Sequence, residues 1–204
     1  EPIWSWRRKM MGTMFAFIGP AIFIPLADPL MSVVDTVTIG QYASTNDLAG
    51  LGPVTLIFTF VNYIWNSQGI ATTSLVAGAL NQSGVSQKQA RQQAGRVLFA
   101  SLALAFGVGL AVCVVLEALG PALIQLTGAA PELMTPALEY LRIRALATPA
   151  SFGIVVSQAA LMGQRQSLLP CLVIAASAVT NFGLDVLLIV SCGMGVAGAA
   201  WATL

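Results

Sequence analysis

Histidine is absent from the 204 residues, and charged side chains make up only 8% of them. Without histidine the chain lacks the usual proton shuttle near neutrality and the commonest metal ligand. Cys113, Cys171 and Cys192 are far apart, with no CxxC pair and no adjacent acid cluster. A zinc or iron–sulfur site is therefore not expected, and the thiols read as small apolar residues in helices. The shortage of charge goes further. Soluble domains carry roughly 25% charged residues, so this chain cannot cover a surface that faces water. A formal net charge of +1 leaves no basic face for phosphates, which argues against a nucleic-acid partner. No P-loop, nucleophile–base pair or cofactor loop stands out, so neither nucleotide hydrolysis nor other enzymatic catalysis is expected.

What is present is apolar. Hydrophobic residues make up 57% and the mean hydropathy is +0.83, the composition of an integral membrane protein. About 20 predominantly apolar residues are needed for one spanning helix. Residues 11–34 carry one charge, Asp28, and predict a first helix ending near Gly40. Forty uncharged residues, 48–87, hold a second helix from about Leu48 to Leu80 and the polar loop NQSGVSQ. Residues 97–116 form a third span, and GPALIQLTGAAPELMTP reads as a loop with a short interfacial helix, broken by its Pro and Gly. A fourth span is expected from about Ala137 to Met162, a fifth from about Gln166 to Val190, and a sixth that begins near Val196 and is cut off, inside an apolar run, at Leu204. EPIWSWRRKMMG at the start has no initiator Met and no signal-type cleavage pattern, so the chain reads as a fragment.

Lysine and arginine set the orientation. Arg7, Arg8, Lys9, Lys88, Arg91, Arg96 and Arg165 fall on one side, Arg142 and Arg144 on the other, where pairing with Glu139 is expected. The amino terminus is thus predicted to face the cytosol, or the stroma or matrix of an organelle.

Against this background Asp35, in PLMSVVDTVTIGQ, is out of place. A carboxylate at bilayer depth costs at least ~2.5 kcal/mol on insertion scales and usually faces a bundle interior or cavity. Either it is a structural acid hydrogen-bonded to Ser32, Thr36 or Thr38, or it belongs to an ion or proton site. TNFGLDVLL supplies a second acid, with Asn181 and Asp185 four apart on one helical face. Together they offer oxygen ligands for a hard cation such as Na+, or a cradle for a protonated acid. Ser191, Gly195, Ala199 and Thr203 form a small-residue stripe suited to close helix approach, and the Thr203 hydroxyl and the Ala199 carbonyl are further candidate oxygens. Pro20, Pro25 and Pro29 predict a kinked first helix, either static or able to change its bend. Asp28 lies seven residues before Asp35, within about 20° around the helix. It either lines the same cavity or bonds backbone freed by a proline. Asn62, Tyr63, Trp65, Asn66, Ser67, Gln68, Thr72, Thr73 and Ser74 suggest a cavity wall, to which Gln158 would add.

The segments PLMSVVDTVTIGQ, LAGLGPVTLIF, GIATTSLVAGAL, YLRIRALATPA and GVAGAAWAT, in this order, resemble the multidrug and toxic compound extrusion (MATE) transporters. The resemblance runs from about Gly19 to Thr203. It implies an all-α, polytopic bundle of six transmembrane helices over 1–204: the amino-terminal lobe of a twelve-helix transporter, without the carboxy-terminal lobe. It also implies secondary active export of small organic molecules, an organic acid or a drug-like compound, in antiport with H+ or Na+, with no further cofactor. The family's cation or proton site maps onto Asp35, Asn181, Asp185 and Thr203, the Ala199 carbonyl and, at the helix-four polar position, Gln158. Its helix-one bending proline matches Pro20. The closest branch in pattern is the plant-type plastid one, which includes exporters of aromatic or carboxylic acids and implies a chloroplast membrane; Asp28 departs from it. Two other roles stay open: a transporter-derived structural subunit of a larger membrane complex, and a lipid-linked oligosaccharide flippase, for which more basic cavity residues are expected.

Overall fold

The computed structural model describes residues 3–204, and among them there are helices and turns but no strands. The order is α1 (Ile3–Tyr42), α2 (Thr45–Leu80), α3 (Gln87–Leu126), a 3-10 turn (Pro131–Leu133), α4 (Met134–Gly163), α5 (Leu168–Asp185), a π-helix (Val186–Ser191) and α6 (Gly195–Thr203). Five segments, Met10–Tyr42, Thr45–Leu80, Gln87–Leu126, Pro131–Gly163 and Leu168–Ser191, are long and apolar enough to cross a membrane. The last helix, α6 (Gly195–Thr203), falls on the sixth expected span.

Helix starts follow the side chains that satisfy their free amides. Ser44 accepts from the Asp47 amide at 3.1 Å while the Asp47 carboxylate accepts from the Ser44 amide at 3.2 Å, a reciprocal cap on α2. Ser86 and Gln89 do the same for α3. Ser44→Ala is therefore expected to remove about 1 kcal/mol of stability, read as a lower unfolding midpoint in detergent with the fold unchanged.

The structure departs from the sequence pattern in the third loop. Helix α3 continues through Pro121 to Leu126, and the expected interfacial helix shrinks to the 3-10 turn. Packing overrides the breaker: Gly120 and Ile124 are buried, and Gly120 sits against Leu141 of α4. The first helix likewise runs unbroken through Pro20, Pro25 and Pro29.

Helix α4 is the hub, packing on α3, α2 and α6, while α1 rests mainly on α5 and the π-helix. Close approach is made by glycine, as expected where lipid supplies no hydrophobic drive between helices. A Cβ on Gly109 would stand 2.6 Å from the Cα of Pro149, and one on Gly163 2.7 Å from the Thr73 carbonyl oxygen. The main core joins Ile39, Val54, Leu116, Leu141, Ile189 and Ala199 across α1, α2, α3, α4, the π-helix and α6. A second core centres on Trp65, which stacks on Phe152 with ring centroids 4.2 Å apart and donates to the Phe152 carbonyl at 3.3 Å. Outside, Phe60, Phe99, Leu110 and Val179 are exposed, a periphery suited to acyl chains.

Candidate functional site

Asp35 lies on α1 roughly 10 Å from the helix end at 1.5 Å per residue, and it is 4% exposed. The hydroxyls first considered as its structural partners are occupied. Thr36 donates to the Ser32 carbonyl at 2.7 Å and Thr38 to the Val34 carbonyl at 2.9 Å. Among the described residues the one donor to Asp35 comes from α6, where the Thr203 hydroxyl reaches Oδ2 at a long 3.4 Å. That hydroxyl is held more firmly by the Ala199 carbonyl, at 2.8 Å.

Asp185 closes α5 and is completely buried, and Asn181 is buried one turn earlier. The π-helix starts at the next residue. Such widened turns interrupt the regular ladder and recur at functional sites. The carboxyl groups of Asp35 and Asp185 are neighbours, close enough to interact directly. As carboxylates both only accept, so no bond joins them unless a proton sits between. Asp35 Oδ1, Asn181 Oδ1 and both Asp185 oxygens have no hydrogen-bond partner among the described residues. Four buried acceptors without donors are costly, since each loses its hydration uncompensated. A small cation or a shared proton is what such an oxygen cluster lacks.

The other expectations fare unevenly. Asp35, Asp185 and Thr203 are brought together, with Ala199 supporting Thr203 and Asn181 buried on the same helix as Asp185. Gln158 is half-buried on α4 and makes no side-chain hydrogen bond among the described residues. Asp28 falls within α1, but its side chain lies outside the described residues. Pro20 is half-buried in the continuous helix. The polar wall expected on α2 divides. Trp65 belongs to the core, Thr72 bonds Ser101 of α3 at 3.2 Å, and Thr73 bonds the Ala159 carbonyl of α4 at 3.0 Å. These are interhelical links. Asn62 and Asn66 are exposed, and Asn62 lines a small recess beside Thr203. Of the small-residue stripe, Ser191 is exposed in the π-helix, whereas a Cβ on Gly195 would stand 3.1 Å from the Asp47 carboxylate of α2 and Ala199 is fully buried; Gly198, outside the stripe, also makes a close approach, its Cβ 3.1 Å from the Leu188 carbonyl carbon.

The sequence pattern misassigned the two arginines of α4. Neither pairs with Glu139. Arg142 approaches Glu117 of α3 at 3.8 Å. Arg144 donates to the Tyr140 hydroxyl at 3.0 Å and lies over the Phe58 and Tyr140 rings at 5.1 and 5.6 Å. Four residues apart, Tyr140 and Arg144 share a helical face turned toward α2 and the site, while Glu139 points elsewhere. That spacing was the available signal.

Fold and composition define an integral, multi-pass, all-α membrane protein with a buried acid pair between its first and fifth helices. The MatE family model matches residues 20–187, and the chain belongs to that family. Protein DETOXIFICATION 47, chloroplastic, from Arabidopsis thaliana, is 35% identical over 205 residues, covering 100% of this chain and 36% of the relative. Protein DETOXIFICATION 44, chloroplastic, from the same plant, is 32% identical over 191 residues, covering 90% of this chain and 36% of the relative. The chain thus spans little more than a third of the curated relatives it matches. A crystal structure of MATE in the bent conformation superposes with a TM-score of 0.81 at 22% identity, covering 94% of this chain and 42% of that one.

Proposed function

We propose that this chain is the ion-coupling part of a secondary active transporter that exports small organic molecules in antiport with H+ or Na+. The observation that carries the proposal is the set of buried carboxylate oxygens of Asp35 and Asp185 that have no donor among the described residues, gathered where α1, α5 and α6 meet. A cation or proton entering this cluster removes the repulsion between two neighbouring carboxylates in a low-dielectric setting, where it is strongest. The cluster joins α1, loosely attached and proline-rich, to α5 and α6. Loading the ion draws Asp35 toward Asp185, and emptying it drives them apart, so occupancy biases how α1 leans. Asn181 and Thr203 supply neutral oxygens, which complete a shell for Na+ or hydrogen-bond a protonated acid equally well. A plastid membrane is the proposed location, by analogy with the chloroplastic relatives.

Asp35→Asn in the full-length protein keeps the shape and removes the charge. In proteoliposomes with an imposed proton or sodium gradient, it is expected to abolish gradient-driven efflux of ethidium while leaving the protein folded and reconstituted. Efflux equal to wild type under both gradients would remove Asp35 from the coupling site.

A further inference from the structure

At the end of the bundle expected to face the cytosol, α1 and α5 leave a groove of about 790 Å³ between them. That is within the range of roughly 300–1,000 Å³ typical of ligand pockets. Its walls are apolar: Met14, Phe17 and Ile18 on α1, and Leu168, Leu169 and Leu172 on α5. All but the half-buried Phe17 are exposed. The groove opens where both apolar segments begin, near Met10 on α1 and at Leu168 on α5, which is the level of lipid headgroups. It lies roughly 25 Å along α1 from the Asp35–Thr203 contact. Its two walls are tied by Ser167, 4% exposed, whose hydroxyl donates to the Phe17 carbonyl at 2.9 Å.

The mouth is cationic. Arg165, in the turn between α4 and α5, lines the groove, is exposed and has no ion pair among the described residues. Its φ of 60° is left-handed, a conformation that favours glycine, so the turn keeps a cation where the backbone alone would select none. Arg7 precedes Met14 by seven residues and Ile18 by eleven, within about 20° of both around an unbroken α1. It therefore stands above the same wall, exposed, with its guanidinium 5.9 Å from the Trp4 ring. No acid lines the groove. Because the Ser167 hydroxyl is engaged with α1, it does not cap α5, and the first amides of that helix keep their affinity for an anion.

We propose that this groove holds one anionic phospholipid, with its phosphate at Arg165 below Arg7 and an acyl chain along the leucine wall of α5. Charge complementarity selects this occupant over the others that an apolar groove would admit. A hydrophobic helix or a neutral lipid leaves both arginines unpaired, and a choline headgroup brings its own cation against them. Basic pockets between transmembrane helices on the cytosolic side are a recurrent setting for anionic headgroups.

The test is photo-crosslinking of the full-length protein in phosphatidylcholine nanodiscs. Phosphatidylglycerol and phosphatidylcholine probes carry the same diazirine-bearing acyl chain, and adducts are mapped by mass spectrometry. The glycerol lipid is expected to label residues 14–18 and 168–172 at least fivefold more than the choline lipid. Arg165→Gly removes the cation and suits the left-handed backbone. Its labelling should fall about fivefold while its unfolding midpoint holds or rises, a split that a merely structural role would not give. Leu172→Trp fills the apolar wall and should displace the chain, and it covers the case in which Arg165→Gly fails to fold. Arg91→Gln removes an exposed arginine of the same side outside the groove and should leave labelling unchanged. Absence of adducts in the groove, the result if another part of the full-length chain or a second copy fills it, would overturn the proposal. So would equal labelling by the two lipids, labelling unchanged in either folded groove variant, or an equal loss in Arg91→Gln.

Discussion

Asp185→Asn is expected to raise the unfolding midpoint of the full-length protein while cutting gradient-driven efflux at least tenfold. The two effects have one origin. Asp185 is fully buried, neither of its oxygens has a donor among the described residues, and a second carboxylate lies beside it. As a structural element it is a liability, because burial strips its hydration and nothing in the described chain replaces it. An asparagine of the same shape carries no charge and brings an N–H that donates to Asp35, a gain of about 1 kcal/mol. Efflux falls because the amide removes one of the two charges that a proton or cation bridges; losing a charge-assisted contact of about 1.5–3 kcal/mol corresponds to tenfold or more. Thermal unfolding of purified protein and efflux from proteoliposomes decide the matter together. A variant that is less stable and still coupled would mean that Asp185 holds the bundle together and takes no part in the ion site.

Gly109→Ala is expected to be the most damaging small substitution in the bundle. The added Cβ would stand 2.6 Å from the Pro149 Cα and 3.1 Å from the Pro149 nitrogen. Both are backbone atoms, so no rotamer change relieves the overlap and α3 and α4 must separate. Overpacking of this kind costs about 1–3 kcal/mol, more than the roughly 0.8–1.0 kcal/mol of helix propensity that alanine adds over glycine. Gly107→Ala is the matched control. Two residues away on the same helix, it has nothing within 4 Å of the new Cβ, so only the propensity gain applies and its midpoint should rise. Equal shifts in the two variants would rule out a tight α3–α4 seam at Gly109.

Much of the architecture was legible because membrane folding uses few rules. Apolar stretches of about 20 residues must become helices, since lipid offers no partners for a bare backbone. The expected second, fourth and fifth spans agree with α2, α4 and α5 with its π-helix to within a few residues, whereas α1 begins well before the expected first span and α3 (Gln87–Leu126) extends well beyond both ends of the expected 97–116. The exception is instructive. Pro121, with Gly120 before it, reads as a break, but burial of Gly120 and Ile124 on α4 keeps α3 intact to Leu126. Arg144 failed for a related reason. From the sequence its partner was the nearest acid, whereas α2 places the Phe58 ring beneath it.

The sequence by itself determined that the chain lives in a membrane, which stretches are helical, and that Asp35 and Asp185 must justify an expensive location. Those follow from solvation, a property of each segment considered alone. Only the tertiary structure decided that the two acids lie beside each other, that Thr203 and not a neighbour on α1 donates to Asp35, and that a groove opens between α1 and α5 beside Arg165. Each of these depends on how separate helices are rotated and brought together, which hydropathy along one strand of sequence leaves free.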